Sequence, residues 1–360
     1  MSDNLDGAAA APLVPERRSA GTNLGRREPN PWPKDRLFRI LAIDGGGIRG
    51  ILPAAFLARL EQEYLGDRSV SDCFDLVAGT STGGILSLGL GRGLTARQIN
   101  KTYQTRGAEI FPPCSSLSRP FYKVLGWFRQ QCDHKALEKV IGEILEGKEL
   151  WQSGSRLNIP TIDGKFGEVF IFKTPHHKDF RKDWDKPMAR AARATSAAQS
   201  FYRPLSDGQY EYLDGGIWAN NPVMVALVDA LSCFDVPREN IRILSLGCVE
   251  GTMRINWLQR HLGGGAFWVG NLIHGGMHLQ SQNALGQAGL LIGRHNLIRV
   301  DAPPGTPRPD LDDWTRSVHE MPPIADDLFN KFGEQVRDIF LTESATPYEP
   351  IYTPDRPPSA

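Results

Sequence analysis

Short apolar runs alternate along this chain with segments whose apolar residues recur every three to four positions. Phe38–Ile43 reads as a strand that enters a glycine-rich turn, Asp44–Gly50. The next segment carries Leu52, Phe56 and Leu60 on one helical face, and Pro53 is tolerated in its first turn. Phe74–Ala78 is a second apolar run, followed by a turn at Gly79–Gly83 and helical text from Ile85. Strand, helix, strand, helix is the order that builds a parallel sheet covered on both faces. Lys135–Lys148 places Leu137, Val140, Ile141, Ile144 and Leu145 on one face and predicts an amphipathic helix.

Farther on, Val169–Phe172 reads as a buried strand, and Met188–Ser200 as a helix of small residues. Tyr212–Gly216 reads as a strand end and turn, and Asn220–Pro222 as the cap of a helix over Val223–Leu231. Ile241–Gly247 is a further core strand, and Phe267–Leu291 is weakly helical. After Pro303–Pro304 the text is punctuated by proline, with a late helix near Asp326–Leu341. The expected fold is α/β: a three-layer sandwich with a mostly parallel central sheet over residues 37–345. A disordered tail is expected over 1–36, where Ala, Pro, Arg and Gly recur without period, and a flexible one over 346–360.

Composition narrows the partners. Of 360 residues, 41% are hydrophobic and 23% charged, which suits a chain that buries a sizeable core. The 41 basic and 41 acidic residues cancel, so no global field favours a nucleic acid polymer or an anionic surface. The five cysteines are scattered with no C-x-x-C pair, which fits a reducing compartment and argues against a disulfide scaffold or structural zinc. No signal peptide, spanning segment or lipidation box is read, so the expected location is cytoplasmic. His176 and His177 stand in a polar loop with no obvious third ligand and are expected to be solvated. Ile110–Asp133, rich in proline and aromatics, reads either as a cap over a pocket or as text packed into the core.

Candidate chemistry gathers at three places. Gly79-Thr80-Ser81-Thr82-Gly83 is a Gly-x-Ser-x-Gly turn between a strand and a helix, a geometry that lifts one serine hydroxyl clear of the backbone. Gly45, Gly46 and Gly47 close a strand and can aim N–H groups at a developing oxyanion, with Arg49 as a nearby fixed charge. Arg49 could equally brace its loop. Gly45–Gly50 also fits G-x-G-x-x-G, a dinucleotide fingerprint, but Asp72 and Asp75 precede the next strand instead of ending it. The base is left open between two arrangements. One is a triad using one of His261, His274, His278, His295 or His319. The other is a dyad in which Asp214, at a strand end before Gly215-Gly216, takes the serine proton itself.

Taken together, Asp44–Gly50, Gly79–Gly83 and Asp214–Gly216 make the chain resemble the patatin-like phospholipases over roughly Phe38–Asp301. Ala194–Ala198 and Asn220–Pro222 are similar to further family segments. The resemblance implies a Ser81–Asp214 dyad without histidine, an oxyanion hole from Gly45, Gly46, Gly47 and Arg49, and lipid acyl-ester hydrolysis without a metal or other cofactor. Ser245–Cys248 departs from the Gly-Thr-Gly often found in relatives, a change expected to affect packing more than chemistry. The Trp32-Pro33 lead into the first strand is similar to the patatin effectors of anti-phage signalling. That likeness implies a membrane phospholipid substrate, a cyclic dinucleotide activator such as cGAMP, association with the inner membrane when active, and a homo-oligomer. Ile110–Asp133 and Gly263–Leu291 are the segments expected to move on activation.

Overall fold

The computed structural model describes residues 26–110, 134–198, 202–251, 257–261 and 265–359. The Ile110–Asp133 segment falls almost wholly outside them. Strand β1 (Phe38–Ile43) is buried along its length, and its side chains alternate between two cores. Leu41 and Ile43 face one core, and Phe38, Ile40 and Ala42 the other. The same alternation runs through β2 (Leu76–Gly79) and β7 (Ile241–Leu246), as a parallel sheet with both faces covered requires.

The larger core is roofed by α1 (Ile51–Leu60), α2 (Thr82–Arg92), α3 (Ala96–Ile110), α4 (His134–Leu145), α5 (Met188–Thr195) and a late helix, Trp314–Val336. The smaller core lies under Val223–Cys233 and Gly265–Ile292, here α6 and α7, with Trp32 packed in it. This is the expected three-layer α/β arrangement. Among the described residues, no helix is long and apolar enough to cross a membrane.

The sheet has eight strands among the described residues, seven of them in the order β5 (Leu205–Asp207), β6 (Tyr210–Asp214), β3 (Arg156–Asp163), β2, β1, β7, β8 (Leu297–Val300), with the eighth off this path. β3-β2-β1-β7-β8 are mutually parallel, whereas β6 runs antiparallel to β3 and pairs antiparallel with β5. One long strand organises the site. β3 pairs β2 as far as Asn158↔Ala78, and from Thr161↔Asp214 onward it pairs β6 along the same edge; β4 (Glu168–Lys173) takes its other edge. Because β6 runs against β3, its last residue returns toward the exit of β2. Asn158 and Thr161 are separated by roughly 10 Å of strand. Into that interval fall the turn after β2, which carries Ser81, and the end of β6, which carries Asp214.

Several expectations need correction. Residues 26–36 are packed, not a tail: Trp32 is 6% exposed against Phe38 and Phe234, and Asn30 pairs Phe234 in a bridge. Residues 346–352 dock as well, with the Thr346 N–H on Asp75 Oδ1 (2.8 Å) and Arg156 donating to the carbonyls of Thr346 and Pro347. β4 is half-exposed, with Val169 62% exposed, because among the described residues β3 is its only strand neighbour. The late helix begins at Trp314, before the expected Asp326, and contains Pro322 and Pro323. Its start is set by Asp313, whose side chain accepts from the Arg316 N–H, and buried Met321, Ala325 and Leu328 hold it through the prolines.

His176 and His177 are both buried. Burial holds the His176 imidazole below its ordinary pKa; Nε2 donates to Asp229 Oδ2 (2.7 Å), and Nδ1 meets the Thr174 hydroxyl. His177 Nε2 donates to the Glu28 carbonyl, one of the contacts that fasten residues 26–32. His176, Asp229 and Cys233 converge as the ligands of a metal would, but Asp229 already receives the Lys173 ammonium.

Candidate active site

The backbone of Ser81 has φ 55° and ψ −121°, a conformation that costs a non-glycine residue energy and persists only where the surroundings impose it. Glycine permits the turn at both flanks. A Cβ on Gly79 would lie 2.1 Å from the Gly83 carbonyl oxygen, and one on Gly83 would lie 2.3 Å from that of Ile43. Thr195 at the end of α5 braces the elbow: its hydroxyl accepts the Ser81 N–H at 2.9 Å and donates to the Pro160 carbonyl. Ile85 N–H bonds back to the Ser81 carbonyl, so α2 starts directly behind the serine with its positive end toward it.

The Ser81 hydroxyl donates to Asp214 Oδ2 at 2.7 Å, with no imidazole between them. Asp214 Oδ1 accepts the Gly216 N–H at 2.7 Å, and the Asp214 N–H is held by the Ala197 carbonyl. The carboxyl is 6% exposed, and burial raises its pKa to about 6 against the lowering pull of the Ser81 and Gly216 hydrogen bonds. It is therefore a stronger base than an ordinary aspartate, yet at pH 7 still ionised by roughly 10:1.

The glycine loop meets the elbow through Gly45, where a Cβ would stand 3.3 Å from Ser81 Cβ and 2.7 Å from Asn220 Oδ1. The three glycines are not equivalent. The Gly45 N–H is held by the Asn220 carbonyl (3.0 Å), whereas those of Gly46 and Gly47 have no acceptor among the described residues. Gly46 is closed against Cys248 Cβ, and Gly47, at φ +58°, against the Leu311 carbonyl. Ile48 N–H also bonds that carbonyl, so the loop is packed against Leu311 on this flank. Arg49 is buried; its Nε donates to the Gly46 carbonyl (3.1 Å) and its Nη1 to that of Val249 (3.1 Å), which makes it a brace.

Three contributors carry no site role in the sequence pattern. Thr195 is visible there only as part of a small-residue segment. Asn220 reads as a helix cap, but its carbonyl holds Gly45, while Asn221 Oδ1 performs the capping on Val223 N–H. Asp44, in the buried end of the glycine motif, receives Arg299 on Oδ2 (2.7 Å), and burial raises its carboxyl to about 7. The Ser245–Cys248 departure reaches the site. Ser245 Oγ accepts from Arg299, and the Cys248 thiol lies on the Asp44 carbonyl.

A strained serine between a parallel strand and a helix, hydrogen-bonded to a buried carboxyl, defines a nucleophile-elbow protein of the α/β class. The patatin-like phospholipase model matches residues 41–227, and the chain belongs to that family. It is 34% identical over 229 residues to the "cGAMP-activated phospholipase" of Escherichia coli (strain TW11681), covering 59% of this chain and 62% of that one. The protein of the same description from Vibrio cholerae serotype O1 is 32% identical over 243 residues, with 61% and 67% covered. The chain thus spans about three-fifths to two-thirds of the length of these relatives. Among solved structures, VipD from Legionella pneumophila aligns over 86% of this chain and 71% of its own, at 12% identity and a TM-score of 0.41.

Proposed function

We propose that this protein hydrolyses acyl esters of membrane phospholipids through an acyl-Ser81 intermediate, with Asp214 as the only side-chain base. The 2.7 Å hydrogen bond from Ser81 Oγ to Asp214 Oδ2 at the strained elbow carries the reading. Ser81 Oγ attacks the ester carbonyl carbon while its proton passes to Asp214 Oδ2. The oxyanion is received by the N–H groups of Gly46 and Gly47, with Gly45 and Arg49 holding that loop in place. Collapse breaks the bond to the lysolipid oxygen, which takes the proton from Asp214. Water then gives a proton to Asp214 and attacks the acyl carbon, and as that intermediate collapses the Ser81 Oγ–acyl bond breaks and Oγ takes the proton from Asp214, releasing the fatty acid and restoring Ser81.

No cofactor enters this scheme. The relatives' description supports a cyclic dinucleotide of the cGAMP type as activator, and we place the enzyme in the cytoplasm at rest and on the inner membrane when active. The test is fatty-acid release from phospholipid vesicles by wild type and Ser81→Ala, with and without a panel of cyclic dinucleotides. Release that needs one nucleotide and vanishes in the mutant is expected. Release without nucleotide would remove the switch and keep the hydrolase, whereas undiminished release by Ser81→Ala would overturn the chemistry.

A further inference from the structure

The outer surface of the α6–α7 layer is apolar where it meets water. Among the described residues, Ile217, Val228, Leu279, Leu290 and Leu291 are large apolar side chains left exposed, and all five lie on α6, α7 or the short helix Gly216–Ala219 beside them. Exposed apolar side chains scattered singly need no explanation, but a group on one layer marks an interaction surface. α7 is unusual in a second way: its 28 residues include no Asp, Glu, Lys or Arg. A helix with one side in water ordinarily carries charge there.

The orientation of α7 is fixed by its inner side. The Gln280 side chain accepts the Asn221 N–H (3.0 Å) and donates to the Asn221 carbonyl (3.1 Å), and Asn221 Nδ2 donates to Ser281 Oγ (3.2 Å). Ala284, Ala288 and Ile292 are buried farther along that side. The opposite side shows Gly276, Leu279, Asn283, Gly286 and Leu290 to solvent. Their spacing alternates between three and four, as in a seam that packs against another helix. Leu279 and Leu290 are 57% and 80% exposed, and a Cβ added to Gly276 or Gly286 would meet nothing within 4 Å. The seam therefore consists of two knobs and two gaps, with an amide midway.

We propose that α7 docks on α7 of a second copy of this chain, antiparallel, with the two-fold axis at Asn283. In that arrangement Gly276 of one copy stands level with Leu290 of the other, and Leu279 comes within one residue of Gly286, so each knob enters a gap. Asn283 meets its own counterpart, and an amide, which both donates and accepts, can pair with itself across a two-fold. A surface that meets its own copy sets like charges opposite each other, a cost that a helix without charged residues avoids. The overlap from Gly275 to Leu291 is about 25 Å long and about 10 Å wide. With Val228 of α6 alongside, that is the scale of a weak, reversible pair and not of an obligate dimer. A lipid surface matches this face less well, because α7 offers no Lys or Arg to acidic head groups.

The experiment is sedimentation velocity of the purified full chain, from micromolar to a few hundred micromolar. A reversible monomer–dimer equilibrium is expected. Leu279→Glu and Leu290→Glu should each weaken it about thirtyfold with an unchanged thermal unfolding midpoint, since both side chains are exposed. A chain that stays monomeric throughout, or a dimer that both variants leave intact, overturns the proposal. Oxidative cross-linking reads the register. Asn283→Cys is expected to give a disulfide-linked dimer well above the wild-type background, and Leu290→Cys is not, because it faces Gly276 of the other copy. Equal cross-linking at the two positions overturns the antiparallel two-fold. A monomer that binds anionic vesicles and loses them in Leu290→Glu would assign the face to a lipid surface and overturn the dimer.

Discussion

Two aspartates buried to a similar degree behave in opposite ways. Asp214 ends β6 beside the Ser81 hydroxyl, and burial raises its carboxyl to about 6, because the hydrogen bonds from Ser81 and Gly216 offset only part of the desolvation. Asp229 lies in α6, where desolvation pushes its carboxyl up but the Lys173 ammonium and His176 outweigh it and hold the carboxyl far below the usual range. Burial sets the stakes, and the neighbouring charge decides the outcome. The first environment makes a base within reach of a hydroxyl. The second makes a staple, joining the end of β4, α6 and the loop that holds residues 26–32.

The contrast is sharpest in the nucleophile itself. Ser81→Ala is expected to lower turnover by about 10⁶-fold with an unchanged unfolding midpoint, measured by fatty-acid release and thermal denaturation. Asp214→Asn should lower turnover by about 10⁴-fold without loss of stability, since it replaces a poorly compensated buried carboxyl by an amide able to keep the Gly216 contact. A marked fall in its midpoint would erase the distinction between the two aspartates. Asp229→Asn should do the reverse: a loss of about 3–5 kcal/mol in urea unfolding, because Lys173 is left facing no charge, with turnover per folded molecule nearly unaffected.

Thr195→Val tests the elbow's brace. It leaves the Ser81 N–H without its acceptor and is expected to lower kcat by about tenfold, with a smaller change in KM. The gentlest probe is pH. kcat/KM should rise about tenfold per unit up to about pH 6 and then level off, as Asp214 becomes ionised. Stability carries both signs. Asp214, whose folded pKa is raised, binds more protons folded than unfolded between about pH 4 and 6 and opposes folding increasingly as pH rises through that window. Asp229, whose folded pKa is lowered, stabilises the protein above the ordinary aspartate pKa, and that contribution is lost as pH falls below it. Urea unfolding of Asp214→Asn and Asp229→Asn across pH should remove one slope each.

Local sequence is a sound guide where function depends on backbone shape. Glycines at 79 and 83 around Ser81 are required by contacts of 2.1 and 2.3 Å, and such a spacing is written in consecutive residues. It is a poor guide where partners are distant in the chain. His176 and His177 look solvated among lysines and aspartates until Asp229 and Glu28 arrive from 53 and 149 residues away. Residues 26–36 and 346–352 lack periodicity and so look like tails, yet they are fixed by single buried contacts such as Trp32 and Thr346. The three loop glycines look interchangeable until Asn220 engages the first.

Periodicity, and the places where a side chain cannot fit, are properties of neighbouring residues. They suffice for the alternation of strand and helix, the two-faced burial of the parallel strands and the strained turn at Ser81. Which group stands against the serine hydroxyl is decided by long-range pairing instead. β3 pairs β2 and β6 along one edge, which brings residues 133 positions apart to 2.7 Å. The same packing raises the Asp214 carboxyl and makes Asp229 a staple, since a carboxyl's charge state is set by neighbours that chain order does not reveal.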